Sequence, residues 1–426
     1  MVTGDALYPT LGVTRAVSPQ PGLAWPWLYL TLLAASSVVL AARRLRLGRR
    51  TGSDFLVPSI ALLTGSFMLS VIFSQVPSLS LFAFGCFLAI VAFGWAAAQI
   101  LEDETALAGV SIVIAVAAAV LALRVIVWRL DEGLGVPAYH LRNTAWLGKL
   151  QLAWVLNLLA PLLLARCMGE RLVVASALHG GAWLLSGVAI HLLFSRMGSF
   201  VFVLTTVILC AVNPGYWRRW VILLFAATIL AVPFVHATGA MSTDVVTSLI
   251  ALQDRGTVSR PAVWRETTRM ILDHPITGIG LGTYDDVAYS QYRTAGPPWF
   301  RRNGWHAHNV LLHILAETGL IGFLAWCSLW AAVSWFALRT WWGGGLSYRL
   351  HGSALGGVLL AFFLLSLTED LIAARVHASL RMSLVLTLLV VHGVRLASGT
   401  SPAAAAPDAE GLPGDQNANE LRRLNP

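Results

Sequence analysis

The composition of this 426-residue chain excludes a water-soluble globular protein. Hydrophobic residues make up 57% of the sequence, charged residues only 12%, and the mean hydropathy is +0.71. A soluble core cannot bury so much apolar surface, so the chain requires lipid. A net charge of +8 is also typical of proteins that bind nucleic acid, but anchoring to anionic lipid explains most basic residues. We therefore expect membrane lipids, and no nucleic acid, as partners.

Apolar runs of about 20 residues recur along the chain, and a helix of that length crosses a hydrocarbon core of roughly 30 Å. They predict an all-α integral membrane protein of about 11 to 12 transmembrane helices, with one large outer loop that contains short helices. Eleven spans are predicted at residues 23–42, 55–74, 79–100, 106–127, 147–168, 172–194, 198–214, 219–236, 309–337, 353–372 and 377–397.

Arginines fall in every second connection between these spans. The clusters are Arg43, Arg44, Arg46, Arg49 and Arg50, then Arg166 and Arg171, then Arg218 and Arg219, then Arg339 and Arg349. Short cytoplasmic loops collect basic residues, so these connections are predicted to be cytoplasmic. Eleven spans then place the N-terminus outside, whereas an even number would place it inside.

The predicted spans divide the chain into five parts. The first span precedes a dense basic cluster and no small-residue cleavage site, which favours an anchor over a removable signal. The residues after the last span are small, polar and rich in proline, as is typical of a disordered tail. The parts are an N-terminal segment (1–22), helices one to eight (23–236), the outer loop (237–308), helices nine to eleven (309–397) and a cytoplasmic tail (398–426).

The outer loop is unusually basic for its predicted side of the membrane. Long loops are exported regardless of charge, but this positive charge must attract an anion, and a phosphate-bearing lipid is the natural candidate. Lys149 is the chain's single lysine. The preference for arginine over lysine is therefore explained equally well by nucleotide composition and by selection for bidentate phosphate binding. The loop arginines are Arg255, Arg260, Arg265, Arg269, Arg293, Arg301 and Arg302.

The first ordered element of the loop is a short amphipathic helix. Ser259 and Pro261 are typical of its first turn, and it should end before His274-Pro275. Arg260 and Trp264 lie one turn apart, so the guanidinium can stack on the indole and direct its donors at an anion. The alternative is a helix that lies on the bilayer, with Trp264 as an interfacial anchor.

A glycine-rich segment follows, with Gly278, Gly280 and Gly282 at alternating positions. Alternating glycines permit positive φ and close backbone approach, so their amides can form an anion-binding nest. The spacing differs from the dinucleotide-binding fingerprint.

Two histidines close the loop in Trp305-His306-Ala-His308-Asn309. Asn309 is a good N-cap for the helix that follows, and it places His308 beside the positive helix end, where the field disfavours the imidazolium. A neutral ring there can accept a proton near pH 7. The two histidines also have zinc-ligand spacing, but no third protein ligand is evident nearby, so no metal is expected.

Ionisable residues also stand at the outer ends of the predicted helices. They are Arg196, Glu317, Glu369 and Asp370. Such residues usually face a cavity or a partner. Snorkelling or helix capping are the alternatives, and for Arg196 the two interpretations are equally good.

These motifs, in this order, resemble the O-antigen ligase family. The topology is similar over most of the chain, and the sequence motifs are similar from about residue 190 to 325. The motifs are Ser195-Arg196, Arg260-x-x-x-Trp264, Pro275-Ile-Thr-Gly278-Ile-Gly280-Leu-Gly282, His306-Ala-His308-Asn309-x-x-Leu312 and Glu317-Thr-Gly319-Leu-Ile-Gly322.

The resemblance implies a glycosyltransferase of lipopolysaccharide biosynthesis in the bacterial inner membrane, with its active site facing the periplasm. Such enzymes move O-antigen from undecaprenyl diphosphate to lipid A-core without metal, nucleotide or other cofactor, and with inversion at the anomeric carbon.

By the same resemblance, Arg196 and Arg260 would contact the diphosphate, and His308 would activate or position the acceptor. These three are the predicted catalytic residues. The predicted substrate-binding residues are Trp264, Arg265, Gly278, Gly280, Gly282, His306, Asn309 and Glu317.

Two other functions remain open at this point. An O-antigen polymerase or a protein O-oligosaccharyltransferase belongs to the same superfamily, and motifs this short do not separate them from a ligase. A lipid-linked glycan flippase or other transporter is the alternative of a different class. Transporters tend to have internal repeats and ionisable residues at the bilayer centre, whereas the candidates here gather at the outer rim.

Overall fold

Every regular element is helical in the part of the chain that the computed structural model describes, as the sequence predicts. The described residues are 54–102, 104–132, 149–193, 195–216, 255–292, 306–343, 345–369 and 376–399. The α-helices in these ranges are α1 Val57–Ile72, α2 Pro77–Ile100, α3 Glu104–Glu132, α4 Lys149–Gly169, α5 Val173–Leu192, α6 Arg196–Val212, α7 Arg255–Asp273, α8 Tyr284–Val287, α9 Val310–Trp342, α10 Leu346–Ser366 and α11 Val376–Gly399.

Six of these helices are long and apolar enough to cross a membrane, namely α2, α3, α4, α5, α9 and α10. The shorter apolar helices α1, α6 and α11 complete nine of the eleven predicted spans. The other two predicted spans, 23–42 and 219–236, lie outside the described residues, as do the N-terminal segment and residues 400–426 of the tail. The chain is thus a multi-pass helical membrane protein.

Side-chain contacts show which helix ends lie together. At the end of α6, Asn213 donates a hydrogen bond of 2.8 Å to the Ser353 hydroxyl near the start of α10, so the two helices are antiparallel. The start of α6, with Arg196, therefore lies at the same end of the bundle as Glu369, which follows α10. We call this the loop end, because α9 also begins there at Val310.

The described basic clusters lie at the opposite end, which we call the arginine end. Gly169 at the end of α4 packs so closely on Leu350 of α10 that an added Cβ would lie 2.9 Å from it. Arg395 of α11 donates to the carbonyl of Ala98 near the end of α2. The basic residues placed at this end are Arg166, Arg171, Arg339, Arg349 and Arg395. The predicted alternation therefore holds among the described connections.

Helix α9 is interrupted at Gly319, which has φ 61° and ψ −167° inside a 33-residue helix. An interrupted helix leaves backbone groups unpaired, and within a membrane they must find protein partners. The glycine-rich loop supplies them. The amides of Leu320 and Ile321 donate to the carbonyls of Pro275 and Ile276 at 2.9 and 3.3 Å.

The same loop also donates hydrogen bonds to the carbonyls that the break exposes. The amides of Ile279 and Gly280 donate to the carbonyls of Ala316 and Glu317, both at 3.0 Å. Residues 275–280 thus act as a backbone splice across the break in α9, and this splice attaches the described part of the loop to the bundle.

The splice gives the glycines a different role from the predicted anion-binding nest. Gly278 and Gly280 do adopt positive φ, 73° and 119°, but their amides donate to the backbone carbonyls of His274 and Glu317. A Cβ on Gly278 would lie 2.3 Å from the Glu317 carbonyl. These two amides are occupied by protein, and the glycines serve close backbone approach.

Substitution of the splice glycines should lower the stability of the whole loop. Gly278→Ala adds a strained positive φ, which costs about 1–3 kcal/mol, and a steric clash with α9, which costs about 1–3 kcal/mol more. Thermal unfolding of the purified protein in detergent should show a clearly lower Tm.

Gly85→Ala is the matched control, because no atom lies within 4 Å of the added Cβ in helix α2. It should leave Tm unchanged or raise it slightly. Equal Tm values for the two variants would contradict the splice.

Candidate functional site

Helix α7 carries four of the seven loop arginines and packs on α9. It begins about one turn earlier than predicted and ends as predicted, before His274-Pro275. Val263, Thr267 and Met270 are fully buried, and their spacing of four and three residues forms one helical stripe. This stripe faces protein. The alternative interpretation required this apolar face to lie on the bilayer. In the structure it packs against protein instead.

Arg260 and Trp264 are each bonded to other parts of the chain. The Trp264 indole N–H donates to the Ala307 carbonyl at 2.8 Å, and Arg260 Nη2 donates to Glu369 Oε1 at 3.2 Å. The helix confirms that Arg260 and Trp264 share a face. Each side chain bonds to another part of the chain, however, and this contact differs from the predicted stacking of the guanidinium on the indole. Together they tie α7 to the segment before α9 and to the end of α10.

Glu369 joins two of the predicted catalytic residues. Its second oxygen, Oε2, lies 3.2 Å from His308 Nδ1, while Oε1 meets Arg260. The three side chains come from separate parts of the sequence, and they are partly exposed at 13% for Glu369, 22% for His308 and 31% for Arg260. The carboxylate therefore bridges a cation and an imidazole at the loop end.

The backbone around His308 is shaped by the start of α9. His308 has a positive φ of 49°, unusual for a residue with a side chain. Asn309 is the N-cap, as predicted, since its side-chain oxygen accepts from the Leu312 amide at 3.1 Å. Its amide nitrogen also contacts the Leu367 carbonyl at 3.4 Å. This cap fixes His308 between α9 and the end of α10.

His306 has its own carboxylate. Its Nδ1 lies 3.1 Å from Asp285 Oδ1 in the first turn of α8.

Two groups near this contact have raised pKa values. Burial raises the pKa of the neighbouring Asp286 carboxyl, and the charge of Asp285 raises it further. Burial also raises the pKa of Tyr292 to about 12, reinforced by the hydrogen bond that its hydroxyl donates to Asp273.

Glu317 lies beneath the loop, with a side chain only 4% exposed. Its Oε1 accepts the Tyr284 amide at 3.0 Å and lies 3.2 Å from His313 Nε2. The Tyr284 ring stacks on His313 at 4.5 Å between centroids. This buried network fixes the start of α8 to α9, so the structure gives Glu317 a supporting position.

Other residues of the prediction are less closely connected to His308 in the structure. Arg196 begins α6, where Ser195 caps the helix by accepting from the Gly198 amide at 3.1 Å. Its place at the loop end follows from the packing of α6 on α10. Arg265 is exposed on α7, and Gly282 has a φ of 74° beside Ala83 of α2. Arg293, Arg301 and Arg302 lie outside the described residues.

Sequence reasoning did not connect Glu369 or Asp285 to the histidines. Glu369 is 61 positions from His308, and no local spacing links them. The only signal was the acidic pair Glu369-Asp370 at the end of an apolar helix, where an ionisable residue requires a partner.

Comparison with known families agrees with the motifs. Residues 181–327 match the family described as O-antigen ligase. The match runs from α5 into α9 and includes Arg196, Arg260 and His308, but it ends before Glu369. The family also includes polymerases and O-oligosaccharyltransferases, and it implies lipid-linked glycan substrates.

No curated protein is significantly similar to the chain. The helical architecture shows a multi-pass membrane protein, and residues 181–327 of the chain match the O-antigen ligase family.

Proposed function

We propose that this protein transfers O-antigen polysaccharide from undecaprenyl diphosphate to lipid A-core at the periplasmic face of the inner membrane. The observation that carries the proposal is the Arg260–Glu369–His308 arrangement, which sets a phosphate-binding group beside a potential base. An O-antigen polymerase or a protein O-oligosaccharyltransferase is the second candidate, since the family implies a lipid-linked glycan for all three.

The distribution of arginines supports the periplasmic assignment. Arg166, Arg171, Arg339 and Arg349, which lie in or beside short connections between helices, are at the arginine end, and positive charge in short connections marks the cytoplasmic side. The loop end, with His308 and Glu369, then faces the periplasm. A lipid-linked donor with its glycan in the periplasm would present its diphosphate there.

The donor diphosphate would bind to Arg260 and Arg196. As the bond between the anomeric carbon and the phosphate oxygen breaks, the electron pair leaves with the diphosphate, whose negative charge grows. Fixed guanidinium groups stabilise that charge more in the transition state than in the ground state. Glu369 would hold the Arg260 guanidinium in place before the donor arrives, and the exposed Arg265 would add positive charge to the same helix.

The acceptor hydroxyl would attack the anomeric carbon as His308 takes its proton. Because Nδ1 faces Glu369 at 3.2 Å, Nε2 is the nitrogen assigned to the acceptor. A carboxylate at Nδ1 sets the tautomer and stabilises the imidazolium that forms. Asn309 and Trp264 would orient the reacting groups by fixing the segment around His308. A single displacement of this kind inverts the anomeric centre.

The position of these groups favours transfer over transport. A transporter usually binds its substrate near the bilayer midplane between repeats. Here Arg260, His308 and Glu369 lie at the loop end, beyond the end of α10 and before the start of α9. That is where the headgroup of a lipid-linked donor meets water.

The reaction can be tested with purified protein, undecaprenyl-diphosphate glycan and lipid A-core. We expect the glycan to appear on lipid A-core, and turnover to persist in EDTA because the proposed chemistry uses only side chains. Electrophoresis and mass spectrometry of the lipid products measure both. A longer carrier-linked glycan would show a polymerase instead, and zinc- or magnesium-dependent recovery from EDTA would contradict the metal-free mechanism.

The orientation can be tested by labelling single cysteines in a cysteine-free background. Tyr289→Cys lies at the loop end and Leu172→Cys at the arginine end, and both native side chains are well exposed, at 65% and 72%. A membrane-impermeant maleimide added to spheroplasts should label position 289 but not 172. Lysed membranes serve as the control, in which both should react. Equal labelling in intact spheroplasts would contradict the proposed orientation.

Substitutions at the site should separate charge from chemistry. Arg260→Ala should reduce turnover about 10- to 150-fold, because charge-assisted hydrogen bonds are worth roughly 1.5–3 kcal/mol. Arg260→Lys should rescue it only partly, since the ammonium lacks the guanidinium fork. His308→Ala should cost about 10² to 10⁴ in rate while carrier binding persists.

The control is Arg269→Ala, on the same helix and exposed, which should retain turnover. If Arg269→Ala loses as much activity as Arg260→Ala, the helix contributes only general positive charge. Near-normal turnover by correctly folded His308→Ala protein would exclude His308 as the base. Initial rates and carrier-lipid binding, measured on the same preparations, decide between these outcomes.

A further inference from the structure

A second imidazole–carboxylate pair lies beside the proposed site. His306 and Asp285 approach within 3.1 Å, and their side chains remain 18% and 29% exposed. His306 precedes His308 by two residues, so their Cα atoms are at most about 7 Å apart. The transfer described above assigns Asp285 no role.

The pair is held in place before any ligand binds. Asp285 follows Tyr284, which is 1% exposed and whose amide is bonded to the buried Glu317. His306 precedes Ala307, which is fully buried and whose carbonyl accepts the indole N–H from α7. Both backbones are thus anchored by buried neighbours, as a preorganised binding group requires.

The charge around the pair selects a neutral ligand. Because Nδ1 lies 3.1 Å from Asp285 Oδ1, Nε2 is the nitrogen assigned to a ligand. Asp285 and Asp286 are adjacent carboxyl groups, and their negative charge opposes a diphosphate. A sugar hydroxyl carries no charge and can donate a hydrogen bond to Nε2.

We propose that the Asp285–His306 pair forms an acceptor subsite. His306 accepts a hydrogen bond from a hydroxyl of the acceptor sugar, next to the hydroxyl that His308 deprotonates. Asp285 is a positioning residue that acts through His306. This assignment rests on the proposed transferase function and adds the residues that recognise the acceptor.

The test compares kinetic constants for the two substrates. Asp285→Asn should raise the KM for lipid A-core about tenfold, the effect of losing one hydrogen bond between His306 and the acceptor. Neither kcat nor the KM for undecaprenyl-diphosphate glycan should change by more than about twofold, because the lost contact concerns acceptor binding alone. His306→Ala should give the same pattern, and it leaves α8 unaltered if Asp285→Asn proves unstable.

Asp286→Asn is the matched control, since it removes the same charge one residue away. It should leave the acceptor KM unchanged. An equal rise in Asp286→Asn, an equal rise in the donor KM, or an unchanged acceptor KM in both Asp285→Asn and His306→Ala would overturn the proposal.

Binding measurements separate this proposal from the proposed function. If the wild-type protein transfers glycan to no acceptor, the transferase assignment fails, but lipid A-core binding to the purified protein can still be measured at equilibrium. About tenfold tighter binding by wild type than by Asp285→Asn would support the subsite. Equal binding would refute it.

Discussion

The backbone splice across Gly319 is the constraint on which the rest of the site depends. Residues 275–280 exchange four backbone hydrogen bonds with the two halves of α9. In a membrane protein an interrupted helix is tolerated only when its freed groups are paired within the protein. Because the partners come from the loop after α7, the break and the loop require each other. The loop is therefore built into the helical bundle.

The consequences of the splice extend in both directions along the chain. It fixes the end of α7, whose buried stripe then packs on α9 and brings Arg260 toward the end of α10. It also fixes the start of α8, where Glu317 accepts the Tyr284 amide. The segment before α9 is held by the Asn309 cap and by the indole of Trp264. Three stretches of sequence thus converge at the loop end.

Hydrophobicity and local spacing predicted the elements but not the contacts among them. Nine of the predicted spans coincide with helices, because about 20 apolar residues have no other stable structure in lipid. The N-cap Asn309 and the end of α7 were also predictable, since capping and proline act within one turn. Both features depend on residues within one helical turn, and such local features can be predicted from the sequence.

The errors arose where long-range partners decide the outcome. Alternating glycines predict positive φ, but they do not say whether the amides face an anion or a protein carbonyl, and here the amides of Gly278 and Gly280 face the carbonyls of His274 and Glu317. Arg260 and Trp264 share a helical face, yet Glu369 and Ala307 are their partners. Glu369 itself stands 61 residues from His308, a separation at which no periodicity can link a carboxylate to an imidazole.

The ion pair between Arg260 and Glu369 matters more for ligand binding than for the stability of the fold. A partly exposed pair typically contributes only about 0–1 kcal/mol to folding. Its effect on a ligand is larger, because a guanidinium already oriented by a carboxylate loses little further freedom when a phosphate binds. The same carboxylate faces His308, so diphosphate binding at Arg260 would weaken one of its contacts and leave the imidazole as its main partner.

This coupling gives a physical order to the proposed reaction. Glu369 lies 3.2 Å from His308 Nδ1 and would stabilise the imidazolium that forms as His308 takes the acceptor's proton. In the proposed reaction, donor binding would draw the Arg260 charge toward the diphosphate and leave more of the Glu369 charge to His308. The contact between Glu369 and the imidazole would therefore be strongest when the leaving group is in place. A carrier lipid keeps its tail in the bilayer and its diphosphate at the surface, so this arrangement has to lie at a helix end, where the splice holds it.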